Sequence, residues 1–570
     1  MSAPENNRAG KPVRPGVDFG KRRARSTPKG RQIEPQALKD IRRLLGESPR
    51  RRDLLIEYLH LIQDKYGHIQ AKHLAALAHE MKLPMAEVYE VATFYHHFDV
   101  VKEGETMPPE ITIRVCDSLS CELTGAKELI ETLRAKAPKY VRVAHAPCMG
   151  RCHCAPAAAV GKNYVDRAEV SLLLNLAKNR KLKPEKPKYP SLAQTMRNGG
   201  YEALAALRKG AKSVDEVIGI FSEAGLRGLG GAGFPSGKKW EFVRAGEQPR
   251  YVCINGDEGE PGTFKDKHYL ENNPHQFLEG VLVAAWGVEA KGVYVYLRDE
   301  YPAARQVLRR EIAAIEREGI APRGYIQLRR GAGAYICGEE SAMIESIEGK
   351  RGFPRHRPPY VAQVGLFGRP TLVHNVETVY WMPEILRKGA EWFARQGKPG
   401  HKGVRSYSVS GRVKRPGVVI APAGSTANEL IALCGGMAEG HRLKGYLPGG
   451  ASGGILPASM ANLPLDFGQL EKHGAFVGSH AVVVLSHRDD MREVTVNLLK
   501  FFADESCGQC TPCRVGCEKA VKLTGERTWD KALLAELAQV MADASICGLG
   551  QAAPNPIRAV MKFFPEDVAG

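Results

Sequence analysis

Long apolar runs, internal repeats and a recognisable export signal are all missing from the 570-residue sequence. No apolar stretch approaches the roughly 20 residues of a membrane span, so we expect no direct membrane insertion. The lack of repeats excludes a repeat architecture. Thirteen cysteines are too few and too clustered for a disulfide scaffold. With no secretion signal we expect a reducing, cytoplasmic location.

The formal net charge of +18 is concentrated near the N-terminus. Residues 1–52 carry fifteen Lys and Arg against five Asp and Glu, including a Lys-Arg-Arg-Ala-Arg run at 21–25. We expect residues 1–34 to form a basic flexible tail. It either docks on an acidic partner subunit or remains a solvated arm, and we expect no nucleic acid partner.

Four cysteines near the C-terminus, the C-terminal cysteine set, have the spacing of metal ligands. Cys507, Cys510 and Cys513 form a C-x2-C-x2-C run, and Cys547 follows in Ala-Ser-Ile-Cys-Gly-Leu-Gly. Three closely spaced thiolates closed by a remote fourth are typical of a 4Fe–4S cluster. A zinc site remains open, although it more often uses two separated C-x2-C pairs. The favoured interpretation is a protein that moves electrons.

Four other cysteines, the N-terminal cysteine set, are predicted to lie on loops directly after strands. Cys116 and Cys121 follow the run 111–115, and Cys148 and Cys152 follow the run 141–143. Four thiolates that meet at one end of a sheet suffice for a 2Fe–2S cluster. Zinc is the alternative, and disulfides are disfavoured in a reducing compartment. Cys154 and Cys517 lie beside the two sets and are interpreted as neighbours rather than ligands.

The pattern along the chain predicts a multidomain α/β and α+β protein. After the tail we expect helices, a small cysteine-bearing sheet domain, a Lys/Pro-rich linker, an alternating α/β domain, a domain of short strands and a helical C-terminus. The predicted boundaries are a helical segment at 35–107, the cysteine-bearing sheet domain at 108–180, the linker at 181–197, the α/β domain at 198–403, the short-strand domain at 404–490 and the C-terminal helices at 491–570.

Three loops rich in Gly, Asp and Glu fall in the predicted α/β domain. The segment 225–240 could bring its backbone close to a phosphate, with lysines for countercharge. It fails the Rossmann test because the preceding residues, 217–224, look helical. It is therefore a nucleotide loop of another architecture or a tight structural loop. The loops 255–263 and 335–341 carry carboxylates suited to ribose or ribityl hydroxyls, although exposed turns favour the same residues.

These loops, together with iron–sulfur ligands, favour a flavin and a nicotinamide. A nicotinamide transfers two electrons as a hydride, whereas an iron–sulfur cluster exchanges one electron at a time. A flavin converts between the two regimes. The predicted task of the protein is then to orient these groups and to tune their potentials.

The motifs at 228–240, 255–263 and 331–341, with the C-terminal cysteine set, resemble the FMN- and NADH-binding 51 kDa subunit of respiratory complex I. Residues 35–180 resemble its 24 kDa partner, a helical segment followed by a thioredoxin-like 2Fe–2S domain. A fused pair occurs in the diaphorase subunit of NAD-reducing hydrogenases and in the beta subunit of NAD-dependent formate dehydrogenases. The residues at 297–302 and 501–510 most resemble the formate dehydrogenase beta subunit.

The resemblance implies a fold and a set of cofactors. The fold would comprise an α/β FMN- and NAD(H)-binding domain at 198–403, a ubiquitin-like β-grasp (SLBB-type) domain at 404–490 with a structural role, and a C-terminal helical bundle with a 4Fe–4S cluster. The cofactors would be FMN, NAD(H), one 4Fe–4S cluster and one 2Fe–2S cluster. The partner would be a molybdenum or tungsten formate dehydrogenase alpha subunit that carries further iron–sulfur clusters. A hydrogenase or complex I partner is the enzyme alternative, and an iron–sulfur scaffold without turnover is the non-enzyme alternative.

The resemblance also implies roles for individual residues, with Glu260 as the catalytic one. The residues implied to hold FMN are Gly230, Gly231, Lys239, Asn255, Asp257, Gly338, Glu339 and Asn375. Those implied to shape the NAD(H) site are Phe234, Phe242, Glu260, Glu340, Arg357 and Tyr360. Further cofactor-binding positions are Gly228, Gly233, Glu258 and His374. The sequence departs from the family pattern at Leu229, Arg357, His374 and Cys517, where arginine, lysine, asparagine and threonine are common.

Overall fold

A four-stranded parallel sheet forms the centre of the chain, and the other parts pack around it. The computed structural model describes residues 31–569. The predicted basic tail therefore falls, except for residues 31–34, outside the described residues. The strand order of the central sheet is β10-β7-β8-β9, and three of its four strands are largely buried. The helices and strands of this domain are α8 Leu192–Arg197, α9 Glu202–Arg208, α10 Val214–Ala224, α11 Ser236–Arg244, β7 Arg250–Gly256, α12 Lys265–Asn272, α13 Pro274–Gly287, β8 Ala290–Leu297, α14 Pro302–Arg317, β9 Ile326–Arg330, α15 Glu340–Ile347, β10 Thr371–Asn375, α16 Val376–Lys388 and α17 Ala390–Ala394.

Helices dominate the segment that precedes the N-terminal cysteine set. Their apolar positions recur at helical spacing, and residues such as Ile41, Leu59 and Leu77 are fully buried. Pro84 directly precedes the last of these helices, as the sequence predicts. A short parallel ladder that the sequence does not predict pairs Ile69 with Val100. The elements are α1 Pro35–Leu45, α2 Leu55–Tyr66, β1 Ile69–Gln70, α3 Ala71–Met81, α4 Met85–Phe94 and β2 Val100–Val101.

A mixed sheet of order β4-β3-β5-β6 carries the N-terminal cysteine set. Strands β3 and β4 are parallel, and the other neighbours are antiparallel. The β-branched runs before the cysteine pairs do form strands, and the hairpin around residues 161–163 is present. The elements are β3 Ile111–Cys116, α5 Leu119–Glu122, α6 Ala126–Lys136, β4 Val141–Ala146, β5 Ala158–Val160, β6 Asn163–Val165 and α7 Val170–Lys178.

A five-stranded sheet of order β12-β11-β15-β13-β14 follows the central domain. Its first and last strands, β11 and β15, lie parallel at the centre of the sheet, and one helix covers a face. This is the arrangement expected of a β-grasp domain. The elements are β11 Val404–Gly411, β12 Gly417–Pro422, α18 Ala427–Leu433, β13 Leu443–Leu447, β14 Leu456–Pro457 and β15 Ala481–Ser486.

The C-terminal part is a helical bundle, as predicted. The C-terminal cysteine set lies at the start of one helix and directly before another. One buried apolar cluster includes residues of this bundle, of the N-terminal helices and of the central domain, so these parts share a core. Within residues 31–569, no helix is both long and apolar enough to cross a membrane. The elements are α19 Met491–Asp504, α20 Thr511–Gly525, α21 Lys531–Ala544, α22 Gly548–Ala552 and α23 Asn555–Phe563.

Candidate functional site

A cavity of about 300 Å³ opens at the carboxyl ends of the parallel strands β7 and β10. Ligands of open parallel sheets bind at this edge. Asn255 and Asn375 are register partners at the two strand ends, so their side chains enter one site. The predicted residues that line the cavity are Gly230, Gly231, Asn255, Asp257, Glu258, Glu260, Gly338, Glu339 and Asn375. Residues that the sequence did not single out complete it, among them Thr263, Lys265, Asp266, Ser452, Ser479, Ile336 and Leu549.

Glycines allow the walls of the cavity to approach one another. A Cβ on Gly230 would lie 3.0 Å from the Cβ of Asn375, and Gly231 has a φ of 136°. On the opposite side, a Cβ on Gly450 would lie 2.7 Å from the carboxyl carbon of Glu260. Larger residues would therefore fill the cavity or displace its polar groups.

The loop after β7 presents hydrogen-bonding groups to the cavity. The Asn255 amide donates to the carbonyl oxygen of Gly338 at 2.8 Å, and its side-chain oxygen accepts from the Asp257 N–H at 3.0 Å. Asp257 is different, because its buried Oδ2 has no hydrogen-bond partner among the described residues. Burial raises the pKa of Asp257 well above its usual range. An acceptor of this kind is suited to a hydroxyl group that enters from outside the protein.

Two buried glutamates, Glu258 and Glu260, flank this loop and are held by different domains. Glu258 accepts from the N–H groups of Asp266 and Lys267 at 2.8 and 3.1 Å, and from the Tyr301 hydroxyl at 2.8 Å. Burial and then the charge of Asp266 raise the pKa of Glu258 to about 7. The central domain therefore supplies all of these Glu258 contacts, whereas the donors to Glu260 come from the β-grasp domain.

The β-grasp domain closes one side of the cavity, so its predicted structural role is incomplete. Ser452 donates both its N–H, at 2.8 Å, and its hydroxyl to Glu260, and the Ser479 hydroxyl donates at 3.0 Å. Burial raises the pKa of Glu260, while these serine donors oppose the rise. The glycine and serine content of 448–454 was the signal available in the sequence.

A buried ion cluster supports the floor of the cavity. Lys265 is only 1% exposed, and its Nζ lies 2.9 Å from both Asp266 Oδ1 and Glu377 Oε2. The Asn375 amide donates to the other oxygen of Asp266 at 2.6 Å. This cluster fixes Asn375 and the loop after β7 relative to each other. The Lys-Asp sequence is ordinary, and only the fold reveals that the pair is buried.

Aromatic side chains lie at the surface beside the cavity. Phe234 and Phe242 are 40% and 55% exposed, with ring centroids 6.1 Å apart, and Tyr360 is 55% exposed. Exposed aromatic faces of this kind can stack on a planar ligand.

The charged residues beside them form one ion cluster. Lys239 lies 3.7 Å from Glu340, and Arg357 contacts Glu339 and lies 3.5 Å from Glu340. Glu339 also caps α15, accepting from the N–H groups of Ser341 and Ala342 at 3.0 and 2.9 Å.

Three of the predicted positions support the glycine loop from behind. His374 is buried, and its Nε2 accepts from the Trp240 indole N–H at 3.0 Å, so it does not line the cavity. Burial lowers the pKa of His374 well below its usual range. Gly228 donates its N–H to the Phe234 carbonyl at 2.8 Å, and a Cβ on Gly233 would collide with the Phe467 ring.

The N-terminal cysteine set converges at the end of β3, where all four thiols are buried. The sulfur atoms of Cys148 and Cys152 are 3.4 Å apart. Hydrogen bonds from the thiols of Cys116 and Cys152 hold the pKa of Cys148 well below its usual range. The N–H of Ala157 lies 3.4 Å from the sulfur of Cys121. Cys154 is partly exposed and outside this contact network.

The C-terminal cysteine set lines a small separate cavity. Its walls include all four predicted thiols and also Ile336 and Leu549, which line the larger cavity as well. Cys517 is buried behind Cys513 and is not part of the wall. A hydrogen bond from the Cys517 thiol lowers the pKa of Cys513 to about 7. The four wall thiols are Cys507, Cys510, Cys513 and Cys547.

The chemistry of the three sites fits a flavin and two iron–sulfur clusters. The large cavity offers an unpartnered carboxylate oxygen, an amide and a glycine cradle, as a ribityl phosphate chain requires. Each cysteine site offers four sulfur ligands within a short distance, which suits Fe–S clusters.

Four protein-family models match the chain in the order of its domains. The thioredoxin-like [2Fe-2S] ferredoxin model matches residues 41–181, and the Nuo51 FMN-binding domain matches residues 221–384. The SLBB domain matches residues 406–456, and the NADH-ubiquinone oxidoreductase-F iron-sulfur binding region matches residues 493–570. These matches confirm the predicted fold class and the predicted FMN, 2Fe–2S and 4Fe–4S cofactors. The chain is thus a flavin- and iron–sulfur-containing oxidoreductase.

Relatives of known name extend the comparison. The chain is 38% identical over 426 residues to the F-type NADH-quinone oxidoreductase protein of Aquifex aeolicus (strain VF5), covering 72% of this chain and 96% of the relative. It is 41% identical over 377 residues to the mitochondrial NADH dehydrogenase [ubiquinone] flavoprotein 1 of Dictyostelium discoideum, covering 63% and 79%. The chain belongs to this family of NADH-quinone oxidoreductase flavoproteins, with a 24 kDa-like part fused before it.

One solved structure matches both parts of the fusion. It is an NAD+-reducing [NiFe]-hydrogenase in the H2-reduced state, with 31% identity and a TM-score of 0.80. The match covers 91% of this chain and 92% of that chain.

Proposed function

We propose that this chain is the NAD(H)–FMN diaphorase subunit of an NAD-dependent formate dehydrogenase. The observation that carries the diaphorase proposal is the unpartnered, buried Oδ2 of Asp257 within a glycine-lined cavity at the carboxyl end of the sheet. When bound there, FMN would accept two electrons as a hydride from NADH and release them singly, or work in reverse.

The residues of the cavity would divide the work of holding FMN. Asp257 and Asn255 would accept and donate to the ribityl hydroxyls, and the glycine backbone at 230–231 would cradle the phosphate with Lys239 as countercharge. Because Lys265 is neutralised by Asp266 and Glu377, it contributes to the floor rather than to phosphate binding. Closure by the β-grasp serines would exclude water from the inner end of the cavity.

The exposed aromatic side chains would bind the nicotinamide nucleotide. Phe234, Phe242 and Tyr360 would stack on NAD(H), and Glu340 with Arg357 would contact its ribose. Glu260 would orient the nicotinamide against the flavin, since three serine donor groups fix its carboxylate. We assign Glu260 a catalytic role on this basis.

The two cysteine sets would carry single electrons away from the flavin. We propose that the 4Fe–4S ligands are Cys507, Cys510, Cys513 and Cys547, and that the 2Fe–2S ligands are Cys116, Cys121, Cys148 and Cys152. The shared wall of Ile336 and Leu549 supports direct exchange between FMN and the 4Fe–4S cluster.

The formate dehydrogenase context rests on the residues of two segments, 297–302 and 501–510. Electrons would arrive from a molybdenum or tungsten alpha subunit that carries further clusters, in the cytoplasm, and leave as NADH. A second candidate is the diaphorase subunit of an NAD-reducing hydrogenase, favoured by the structural match over nine-tenths of the chain.

Dye reduction by the isolated, FMN-loaded chain tests the diaphorase proposal. We expect NADH to reduce an artificial dye, formate alone to reduce none, and Glu260→Gln to lose turnover while retaining FMN. Glu241→Gln is the matched control, because Glu241 is exposed on α11 and pairs with Lys238 at the surface. Unchanged turnover in Glu260→Gln would remove its catalytic role.

The subunits that co-purify with the natively expressed chain test the complex. A molybdenum- or tungsten-containing partner and formate-dependent NAD⁺ reduction are the expected results. A nickel-containing partner with hydrogen-dependent NAD⁺ reduction would establish the hydrogenase alternative instead.

A further inference from the structure

A buried arginine connects the flavin loop, residues 255–264, to the loop that carries Cys148. Arg298 follows β8 and is 3% exposed. Its Nη1 donates to the Glu258 carbonyl oxygen, and its Nη2 donates to the Cys148 carbonyl oxygen at 2.7 Å. Its Nε donates to Glu300 at 3.2 Å. One guanidinium thus holds backbone groups of two different domains.

Close packing at the same place keeps the two loops in contact. The Tyr301 hydroxyl, which donates to Glu258, lies 2.3 Å from where a Cβ on Gly150 would be. The guanidinium of Arg298 lies over the Tyr301 ring, 5.2 Å from its centroid. Phe264 of the flavin loop packs on Cys148 and Cys152. The contact is therefore too close for the guanidinium to be replaced by solvent without a rearrangement.

We infer that Arg298 is a positioning residue that raises the reduction potential of the 2Fe–2S cluster and holds its loop against the flavin loop. This inference rests on the proposed cluster ligands, Cys148 in particular, and not on the identity of the partner complex.

The physical basis is the charge of the cluster. Reduction adds one negative charge, and a buried cation nearby stabilises the reduced form more than the oxidised form. The cation has little solvent screening, because both Arg298 and Cys148 are buried. Consistent with this attraction, the Cys148 thiol has a lowered pKa, caused first by the neighbouring thiols of Cys116 and Cys152 and further by Arg298.

Glu300 acts in the opposite direction. Its carboxylate partly neutralises the guanidinium through the Nε contact, and its side chain is 15% exposed. Removing this negative charge should therefore favour the reduced cluster, whereas removing Arg298 should disfavour it. A pair of substitutions with opposite expected signs follows.

An anaerobic redox titration of the 2Fe–2S EPR signal in the full chain tests the inference. In Arg298→Gln, we expect the ratio of reduced to oxidised cluster at a fixed potential to fall at least tenfold, which corresponds to about 59 mV for one electron. Arg298→Lys keeps the charge and should shift less. Glu300→Gln should shift the ratio in the opposite direction.

Arg329→Gln is the matched control. Arg329 is also buried and pairs with Asp53 at 2.6 Å, away from both cysteine sets. We expect an unchanged titration. The inference is overturned if Arg298→Gln and the control titrate alike with the cluster intact. If Arg298→Gln does not retain its cluster, a Glu300→Gln titration that is unshifted or shifted toward the oxidised form overturns it.

Iron and flavin content separate this inference from the ligand assignment. A Cys148→Ser variant that retains a normal 2Fe–2S signal would refute the ligand set. A normal cluster with an unshifted potential in Arg298→Gln would refute only the role of Arg298.

Discussion

Removing the Lys265 amine should unfold the flavin domain more easily than any exposed lysine change. Burial opposes the positive charge, but Asp266 and Glu377 outweigh it and raise the pKa of Lys265 above its usual range. Lys265→Met leaves two buried carboxylates without their cation. Breaking a buried pair in this way costs roughly 3–5 kcal/mol. With a urea dependence of roughly 2 kcal/mol per M, the unfolding midpoint should fall by about 2 M.

The release of FMN fluorescence during urea unfolding measures this midpoint. Lys238→Met is the matched control, because Lys238 forms an exposed pair with Glu241 that contributes less than about 1 kcal/mol. Lys265→Met/Glu377→Gln should recover part of the loss, since one unpaired charge is removed while the Gln oxygen still accepts from the Ser406 N–H. An unchanged midpoint in Lys265→Met, or no recovery in the double variant, would refute the reasoning.

Three further changes probe the sites from other directions. Because burial raises the pKa of Glu258 to about 7, the folded chain retains a proton that the unfolded chain releases above pH 4.5. Its contribution to stability should therefore fall by roughly 3 kcal/mol as the pH rises from 4.5 to 7, and Glu258→Gln should lose this slope in urea titrations across that range. Gly150→Ala should lower the melting temperature and the 2Fe–2S content, whereas Gly104→Ala, at φ 80° with open space around it, should cost only about 1–2 kcal/mol; equal effects would contradict the Tyr301 contact. Cys547→Ala should lose the 4Fe–4S EPR signal while Cys517→Ala retains it, and the reverse result would exchange their roles.

Local patterns predicted the parts of the fold that depend on local chemistry. The β-branched run before Asn255 forms a buried parallel strand, and the glycine-rich segment after α10 forms a loop at the strand ends, as expected. The helical residues 214–224 before that loop also agree with the rejected Rossmann interpretation. Spacing predicted the cysteine sets for the same reason, since neighbouring ligands on one short loop have few places to go.

Contacts between distant segments could not be predicted in this way. Ser452 and Ser479 reach Glu260 only because the β-grasp sheet packs over the cavity, 192 and 219 positions away in sequence. His374 shows the opposite error, in which a residue adjacent to a binding position faces the core instead. Its neighbour Asn375 ends β10 and caps α16, so the alternation of a strand places the two side chains on different sides.

The two cysteine sites meet the flavin cavity through walls of different chemistry. The 4Fe–4S side shares the apolar side chains Ile336 and Leu549 with the cavity, which exclude water without adding charge. The 2Fe–2S side meets the loop of Glu258 through Arg298, a buried cation that stabilises added electrons. An electron that moves toward the 2Fe–2S cluster is thus held by a fixed charge, whereas one that moves toward the 4Fe–4S cluster meets no such charge in the shared wall. This asymmetry favours the C-terminal cluster as the route of rapid exchange and the 2Fe–2S cluster as a site that retains an electron.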